Sequence, residues 1–597
     1  MQEKIVNDFS ITIATVNGSG SQTANITLLR ALFKMGIPVS GKNIFPSNIQ
    51  GLPTWYTIRV NEAGYTARKE DTEIVVALNP ATFAKDLSTV KAGGVFIYPD
   101  DFKLPIDRQD IHIYKVPVKT LAKEADVSPS LREYIANMVY VGILAQILGI
   151  DMEKIHQALS FHFKGKEGPV NSNFKVIQAA ADWFKSTLTK EDPYYLSPLN
   201  KTDDLILTDG NTAGALGAIY GGIQFAAWYP ITPASSFAES LNIFLPRLRK
   251  IGGKATYAVL QAEDELAAIG MAIGAGWTGL RALTSTSGPG ISLMSEYAGL
   301  AYFSEVPVVV WDIQRVGPST GLPTRTAQGD VTEITYLGHG DTQQIMLLPG
   351  NVHECFEFGW KAFDIAEHMQ MPVFVLSDLD LGMNQWMTEP FEYPDAPMDR
   401  GKVLWEEDLE KLNGIWARYK DVDGDGIPYR TLPGNQHPSA AWFSRGTGHD
   451  ENTRYSEDNV VWEALTARLK KKYETARGLI PSPILDEPKG SSRGIIAYGS
   501  SDQAVKEARD LLSREKGITT AYLRLRGLPW SDQVLDFVKR HDRIYVVEGN
   551  RDGQLRQVLS ADMPAQADRF VSIAHSDGLP LTAKWIMDKI LECEAEK

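Results

Sequence analysis

The sequence predicts an α/β protein with several domains, built on parallel sheets that are covered by helices. Strand-like apolar runs alternate with helix-like segments over most of the 597 residues, and polar loops follow several of these runs. Alternation of this kind favours parallel strands that are joined by helical crossovers. A chain of this length forms about three or four domains of ordinary size.

The composition favours a soluble enzyme over a nucleic-acid-binding or membrane protein. The net charge is −14, and no cluster of Lys and Arg provides a basic face for nucleic acid. No apolar run approaches the length of a membrane span and the N-terminus lacks a secretory signal, so we expect a cytoplasmic protein. Only two cysteines occur, Cys355 and Cys593, which are too few for a disulfide framework or a 4Fe–4S cluster.

Residues 1–190 predict an N-terminal α/β domain with a linker at its end. A glycine turn, Gly18-Ser19-Gly20, lies between a strand and a helix, where such turns can receive phosphate groups. A purely structural turn is the alternative, because the third small residue of a dinucleotide fingerprint is missing. The polar, weakly periodic segment from 165 to 204 predicts the linker. The predicted elements are the strands Phe9–Val16, Glu73–Leu78, Gly94–Tyr98 and Ile111–Val116 and the helix Thr23–Met35.

The remaining chain predicts an α/β domain over 200–390, an irregular insertion over 391–485 and another α/β domain over 486–597. The insertion is rich in Pro, Asp, Gly and aromatic residues, and it is clearly periodic only near Val460–Ala476. The predicted strands are Ala255–Leu260, Arg281–Thr286, Pro307–Ile313, Gln344–Leu348, Pro372–Leu376, Gly494–Tyr498, Thr519–Leu525 and Arg543–Glu548, and the predicted helices are Glu265–Gly276, Val352–Met369, Gln503–Glu515 and Ala583–Glu594.

Four polar loops follow successive strands of the domain over 200–390. They are Tyr229–Ser236 (YPITPASS), Gln261–Glu265 (QAEDE), Thr284–Met294 (TSTSGPGISLM) and Gln314–Asp330. Because parallel strands end at the same edge of a sheet, we expect these loops to meet and to form a ligand site. In the first loop, Thr232 before Pro233 suits a helix N-cap, and Ser236 with Glu239 fits a capping box. Either start would present a helix N-terminus to a carboxylate.

Taken together, the four loops resemble the alpha subunit of the 2-oxoacid:ferredoxin oxidoreductases, most closely the 2-oxoglutarate type with a fused gamma-like N-terminal domain. The resemblance covers the full length, and the YPITP segment is its most specific part. It implies a pyrimidine-type thiamine domain over 200–390 and a transketolase C-terminal-like domain over 486–597. It also implies thiamine diphosphate with Mg shared with a beta subunit that carries a 4Fe–4S cluster, coenzyme A as co-substrate, ferredoxin as electron acceptor and an α2β2 assembly.

The resemblance assigns roles to individual residues. Glu263 best matches the carboxylate that hydrogen-bonds the aminopyrimidine of the cofactor, with Glu265 as the alternative because the Glu-Asp-Glu spacing leaves the register open. Thr232 and Arg315 match the residues that bind the carboxylate of the substrate, and a guanidinium can hold that group bidentately. The further implied contacts are Arg325 in the same loop, Tyr229 and Ile231 for the substrate, Ser287 and Gly288 for the cofactor, and Gly18, Ser19 and Gly20 for coenzyme A.

Other functions stay open on the sequence alone. The chain could be a non-catalytic scaffold or an acyl-CoA-binding protein, or it could act on pyruvate or a branched-chain 2-oxoacid. The segment Asp423-Gly424-Asp425-Gly426 imitates a thiamine diphosphate motif and a calcium loop. The segment before it is polar and Leu432 stands where a calcium loop needs a glutamate, so we interpret it as a turn and expect no metal site on this chain.

Overall fold

The computed structural model describes residues 3–47, 51–125 and 132–595, without the side chain of residue 133. The chain forms two compact units. The first contains Met1–Thr208, Asn384–Pro390 and Thr582–Lys584, and the second contains Asp209–Met383, Phe391–Leu581 and Trp585–Lys597. No helix in the described part of the chain combines the length and the apolar character needed to cross a bilayer. The several-domain α/β class is confirmed, whereas the four predicted domain boundaries stay predictions.

The first unit is built around one mixed six-stranded sheet. Its elements are β1 (Ile5–Val6), β2 (Asp8–Val16), α1 (Ser21–Lys34), β3 (Val39–Ile44), β4 (Pro53–Asn61), β5 (Thr72–Ala77), α2 (Phe83–Ser88), β6 (Val90–Pro99), β7 (His112–Val116), α3 (Val118–Glu124), α4 (Arg132–Ile135), α5 (Met138–Leu148), α6 (Met152–His162), α7 (Glu167–Thr187), β8 (Tyr194–Tyr195) and β9 (Ile206–Thr208). The strand order is β3-β4-β2-β5-β6-β7, in which β2, β5, β6 and β7 run parallel. The four strands and the helix predicted here are confirmed.

The predicted linker is wrong over much of its length. Residues Glu167–Thr187 form the 21-residue helix α7, which packs against α5 and α6. Its buried positions recur at helical spacing and include Val170, Val176 and Phe184, but the polar residues between them hide that period in the sequence. The segment therefore belongs to the first compact unit.

The second unit has two large sheets, which share one continuous apolar core. Its elements in chain order, with one strand of the first unit (β18) included, are α8 (Gly210–Tyr220), β10 (Phe225–Trp228), α9 (Ser235–Leu248), β11 (Lys250–Ile251), β12 (Lys254–Ala255), β13 (Ala258–Gln261), α10 (Glu265–Trp277), β14 (Ala282–Thr286), α11 (Gly288–Ser304), β15 (Val308–Gln314), α12 (Val331–Thr335), β16 (Ile345–Leu347), α13 (Val352–Met369), β17 (Pro372–Asp378), α14 (Leu379–Met383), β18 (Trp386–Thr388), α15 (Glu406–Lys411), α16 (Asn459–Thr475), β19 (Ile484–Asp486), β20 (Arg493–Ala497), α17 (Ser501–Lys516), β21 (Ala521–Arg524), β22 (Gly527–Leu528), α18 (Asp532–Arg540), β23 (Arg543–Glu548), α19 (Gln554–Asp562), β24 (Phe570–Ala574) and α20 (Ala583–Ala595).

The larger sheet of this unit has the order β13-β10-β14-β15-β17-β16-β22. Its strands run parallel except for β22, which pairs antiparallel with β16. The predicted parallel sheet is therefore confirmed, with a short antiparallel strand from the C-terminal region added at one edge. The smaller sheet has the order β19-β21-β20-β23-β24 and is parallel apart from β19.

The irregular insertion is held to the larger sheet by a buried ion cluster. Glu305, at the end of α11, is fully buried and pairs with Arg468 and Lys472 of α16, with 2.7 Å between the Lys472 Nζ and a carboxylate oxygen. Burial alone would raise the pKa of Glu305, but the two cations and Arg418 bring that pKa well below its usual range. The insertion is thus fixed by charges that lie more than a hundred residues apart in the sequence.

An internal ammonium group occupies the calcium-like Asp/Gly loop. Lys402 Nζ lies 2.6 Å from Asp423 Oδ2, 2.9 Å from Asp425 Oδ1 and 3.0 Å from the carbonyl oxygen of Ile427. These are the third, fifth and seventh positions of a calcium loop that starts at Asp421. Asp421 itself accepts hydrogen bonds from the N–H groups of three following residues. A lysine thus stands where a calcium loop would hold its ion.

We expect Lys402→Met to lower the melting temperature by a few degrees, because two neighbouring carboxylates lose their shared cation. The matched control is Lys411→Met, since Lys411 is exposed and has a single carboxylate contact at 3.5 Å. Calcium should leave the melting temperature of the unaltered protein unchanged, as measured by differential scanning fluorimetry. A calcium-dependent rise would show that an ion displaces Lys402.

Candidate active site

The four polar loops predicted to meet do lie along one edge of the larger sheet. They follow β13, β10, β14 and β15, which are consecutive neighbours in that sheet and run in the same direction. Ligands of open α/β sheets bind at the carboxyl ends of their strands. The predicted rim is therefore confirmed, and the contacts within it define the candidate site.

The YPITPASS segment differs locally from its prediction. The helix α9 begins at Ser235, its N-cap is Ala234, and no side chain caps it, so neither the Thr232 cap nor the capping box of Ser236 and Glu239 is present. The fully buried Asn211 of α8 holds the segment, donating to the Pro233 carbonyl at 2.9 Å and to Ser236 Oγ at 2.8 Å. The segment is shaped by this long-range contact, and it leaves Thr232 partly exposed in a turn.

Arg315 joins this segment to the loop after β15. Its residue is 7% exposed, and its guanidinium donates to the Thr232 carbonyl at 2.7 Å and to the Thr320 carbonyl at 3.3 Å. Among the described residues no carboxylate lies within 4.0 Å of it, and its buried Nε has no hydrogen-bond partner. Burial lowers the pKa of Arg315, while Asp330 and then Glu265 raise it. The site therefore holds a buried cation with no carboxylate paired to it in the described chain.

The three acidic residues that follow β13 lie in three different environments. Glu263 is exposed, whereas Asp264 caps α10 by accepting a 2.6 Å hydrogen bond from Ala267 N–H. Glu265, the first residue of α10, is only 7% exposed and faces the loop after β14. A carbon added at Gly290 would lie 2.8 Å from its Cγ and 2.0 Å from Thr286 Oγ1. Glycine is thus needed at position 290 to let the Glu265 side chain reach the rim.

The SGPG turn begins α11 and leaves hydroxyl groups without partners. Ser287 is the N-cap of that helix, but its side chain makes no capping bond, and its Oγ is buried and unpartnered among the described residues. A carbon added at Gly288 would lie 2.7 and 2.9 Å from the two carboxylate oxygens of Asp330. The turn therefore packs directly on a carboxylate from the neighbouring loop.

Two buried aspartates of the site are not predicted from the sequence. Asp312 lies within β15 and is fully buried, and Asp330 stands just before α12 and is 8% exposed. Burial, followed by Asp330, raises the pKa of Asp312 well above its usual range, and burial, followed by Glu333, raises the pKa of Asp330 to about 7. A charged residue inside the apolar run VVVWDI is the signal that could have marked Asp312.

The other predicted contacts have different surroundings. The half-buried Arg325 donates to the Thr324 carbonyl at 2.8 Å, its side chain packs on Gly578, and burial lowers its pKa. Tyr229 is exposed and Ile231 is half-buried, both beside Thr232 in the same segment.

The glycine turn at 18–20 lies in the first unit, and other residues of that unit pack directly against it. Gly20 has a φ of 83°, and a carbon added there would lie 2.8 Å from the Tyr134 carbonyl oxygen. Asn137 donates to the Ser19 carbonyl at 2.8 Å. These contacts give the turn a structural role, and its coenzyme A contact stays a prediction.

The fold and this rim define an enzyme of the thiamine diphosphate-binding class. The family described as pyruvate flavodoxin/ferredoxin oxidoreductase, thiamine diphosphate-binding, matches residues 216–401, and the pyruvate ferredoxin/flavodoxin oxidoreductase family matches residues 10–183. The subunit alpha of 2-oxoacid:ferredoxin oxidoreductase 2 from Aeropyrum pernix is 30% identical over 96% of this chain and 96% of its own length. The chain belongs to the alpha subunits of the 2-oxoacid:ferredoxin oxidoreductases.

Two further relatives support this membership. The 2-oxoglutarate synthase subunit KorA of Methanocaldococcus jannaschii is 37% identical over 55% of this chain and 84% of its own length. The solved structure of the 2-oxoglutarate:ferredoxin oxidoreductase from Magnetococcus marinus, with 2-oxoglutarate, coenzyme A and succinyl-CoA bound, is 28% identical. It covers 98% of this chain and 99% of its own with a TM-score of 0.88. The resemblance found in the sequence is confirmed, and relatives named as subunits imply that this chain works with a partner subunit.

Proposed function

We propose that this chain acts in the oxidative decarboxylation of 2-oxoglutarate with coenzyme A to succinyl-CoA and CO2, with reduction of ferredoxin, and that Arg315 binds the carboxylate next to the 2-oxo group. The observation that carries the proposal is the buried Arg315 guanidinium, which contacts Thr232 and has no carboxylate within ion-pair distance among the described residues. A buried cation is costly unless an anion compensates it. A substrate carboxylate would supply that anion.

The choice of 2-oxoglutarate is supported by the relatives and by a second cation in the same loop. The structure from Magnetococcus marinus, which aligns over nearly the whole chain, is named for 2-oxoglutarate. Arg325 follows Arg315 by ten residues on the loop after β15, and we propose that it binds the distal carboxylate. Pyruvate and branched-chain 2-oxoacids lack that second carboxylate and are the alternative substrates.

We propose Glu265, rather than Glu263, as the carboxylate that faces the aminopyrimidine of thiamine diphosphate. Glu265 is buried at the rim and its carboxylate makes no hydrogen bond or ion pair within the described chain, whereas Glu263 points to solvent at the end of an edge strand. A carboxylate together with the unpartnered hydroxyl of Ser287 fits a ring that offers hydrogen-bond donors and acceptors. Asp264 caps α10 and so fixes the position of the next residue.

The cofactor, when bound, supplies the electron sink for decarboxylation, and the residues of this chain orient the reactants and handle protons. Glu265 would hold a proton at the aminopyrimidine nitrogen, which is general acid–base work for a carboxyl group. Arg315 would fix the carboxylate that leaves as CO2. Gly290 allows the α11 turn to approach Glu265 closely, and Gly288 allows it to approach Asp330.

The remaining cofactors require a partner subunit, which we propose binds on the face of α10 and α11. These two helices expose apolar side chains that a second chain could cover, namely Leu266, Met271, Leu293 and Leu300. With only two cysteines in the chain, the 4Fe–4S cluster would belong to the partner, together with the magnesium and the diphosphate end of the cofactor. An α2β2 assembly that passes electrons to ferredoxin completes the proposal.

The test is to co-purify the chain with its partner subunit under anaerobic conditions. We expect a brown complex that contains thiamine diphosphate and reduces viologen dye with 2-oxoglutarate and coenzyme A, but much more slowly with pyruvate or 2-oxoisovalerate. A complex without thiamine diphosphate would contradict the enzyme proposal. Equal or better activity with pyruvate would contradict the choice of substrate alone.

A further inference from the structure

Two carboxyl groups lie buried beneath the proposed carboxylate site. Both oxygens of Asp312 and one oxygen of Asp330 are buried and receive no hydrogen bond from any other group in the described chain, and the two carboxyl groups lie within hydrogen-bond reach of each other. Two adjacent buried carboxyl groups cannot readily both be ionised, so they titrate as one coupled unit. We call Asp312 and Asp330 the carboxyl pair.

The pair lies between the two proposed ligand sites. On one side Asp330 packs against Gly288 at the start of α11, and on the other side its charge acts on Arg315. Arg315 comes only three residues after Asp312 along β15, and it is buried like the pair. Asp330 is thus the largest source of negative charge acting on a guanidinium that has no direct carboxylate partner in the described chain, ahead of Glu265.

The charged and titratable groups that face the pair come from every element packed around it. Arg315 follows β15, Glu333 lies on α12, and the buried Tyr498 follows β20 and donates to the Gln328 carbonyl at 3.2 Å. Glu265, at the start of α10, acts on Arg315. The turn at Ser287 and Gly288 contributes no titratable group. Arg315 is the only cation of this set. Whether its guanidinium is bound to a substrate carboxylate therefore affects the negative charge that the pair can carry.

We propose that the carboxyl pair positions and compensates Arg315, and that it takes up one proton from solvent when Arg315 receives the carboxylate of the 2-oxoacid. When the pair is ionised in the substrate-free complex, its negative charge balances the buried guanidinium. When the substrate brings its own negative charge, a proton binds to a carboxylate oxygen of the pair, and no bond of the substrate is broken in this step. The proposal rests on the proposed role of Arg315 and makes Asp312 and Asp330 positioning residues.

The direction of the pH dependence follows from the state of Asp330. Burial raises the pKa of Asp330 to about 7, and burial together with Asp330 raises the pKa of Asp312 well above its usual range. Below about pH 7 the pair is neutral and leaves Arg315 free for the substrate, whereas above it the pair competes for the guanidinium. We therefore expect kcat/KM for 2-oxoglutarate to be flat at lower pH and to fall by up to about tenfold per pH unit above the break.

The decisive experiment measures proton uptake on binding in the purified complex. The probe is 2-hydroxyglutarate, which carries the same two carboxylates and has no 2-oxo group to react. Its binding enthalpy is measured near pH 7 in phosphate and in Tris, whose ionisation enthalpies differ. We expect the difference between the two binding enthalpies to correspond to the uptake of up to one proton from the buffer. We expect Asp330→Asn to bind the probe with equal enthalpies in the two buffers.

The control is Glu515→Gln, because Glu515 is an exposed carboxylate on α17 that lies outside the site and outside the proposed partner-binding face. It should take up protons as the unaltered complex does. Equal enthalpies in the unaltered complex, or uptake that persists in Asp330→Asn, would overturn the inference. If that variant does not fold, or if the probe does not bind, the proposal is tested by the pH dependence of kcat/KM in the unaltered complex. A pH profile without the break would contradict the proposal. Absence of any 2-oxoacid turnover would instead overturn the proposed function.

Discussion

Replacing Glu265 with Gln should lower 2-oxoglutarate-dependent dye reduction by about 10²- to 10⁴-fold, the range in which a positioned general acid or base contributes to a rate. Gln fills nearly the same volume but cannot exchange a proton with the aminopyrimidine. Glu265 is buried beside Gly290 and Thr286, so the start of α11 packs against its side chain. The rate is measured at saturating 2-oxoglutarate and coenzyme A on complexes with matched thiamine diphosphate content.

The matched control is Glu263→Gln, two residues away on the same segment. We propose no contact between Glu263 and the cofactor, so its substitution should leave the rate within about twofold of the unaltered enzyme. A large loss in Glu263→Gln with normal activity in Glu265→Gln would reverse the assignment. Normal activity in both variants would favour a scaffold or an acyl-CoA-binding protein over a catalytic subunit.

Replacing Arg315 with Met should raise KM for every 2-oxoacid, by about 10- to 150-fold. A hydrogen bond to a charged group contributes about 1.5–3 kcal/mol, and each 1.4 kcal/mol is about tenfold in affinity. Arg315→Lys should recover part of the affinity, since a lysine keeps the charge but cannot reproduce the fork that contacts the Thr232 and Thr320 carbonyls. KM and kcat are measured together, because loss of binding alone raises KM.

The parallel variant Arg325→Met separates the two carboxylates of the substrate. If Arg325 binds the distal one, its loss should raise KM for 2-oxoglutarate and leave KM for pyruvate unchanged. Equal effects of Arg325→Met on both substrates would assign it to the protein fold, in keeping with its packing on Gly578. An unchanged KM in Arg315→Met would remove the observation on which the proposed function rests.

The rim could be predicted from the sequence because it depends on the local order of strands and loops along the chain. Each polar loop follows an apolar strand, and the order of the strands along the chain is enough to place Thr284–Met294 and Gln314–Asp330 on neighbouring ends. The choice between Glu263 and Glu265 could not be made in this way. The proposal of Glu265 rests on its burial and on Asp264 as the cap of α10, and neither could be predicted from the local sequence.

Other features depend on contacts between residues distant in the sequence. The start of α9 is fixed by Asn211, which lies more than twenty residues earlier on α8. The carboxyl pair exists only because the sheet brings the end of β15 beside the loop that ends at Asp330, eighteen residues later. The helix α7 was hidden by polar residues on its outer face. In each case the local pattern was compatible with the structure but did not specify it.

The most direct test of the central claim is the rate of hydrogen–deuterium exchange at C2 of the bound thiamine diphosphate, measured by acid quench and NMR. The claim is that Glu265 transfers protons at the cofactor while Glu263 does not. We expect exchange in the unaltered complex and in Glu263→Gln to be equally fast, and exchange in Glu265→Gln to be slower by about 10²-fold or more. Fast exchange in Glu265→Gln, with the cofactor fully bound, would contradict the assignment of the active site.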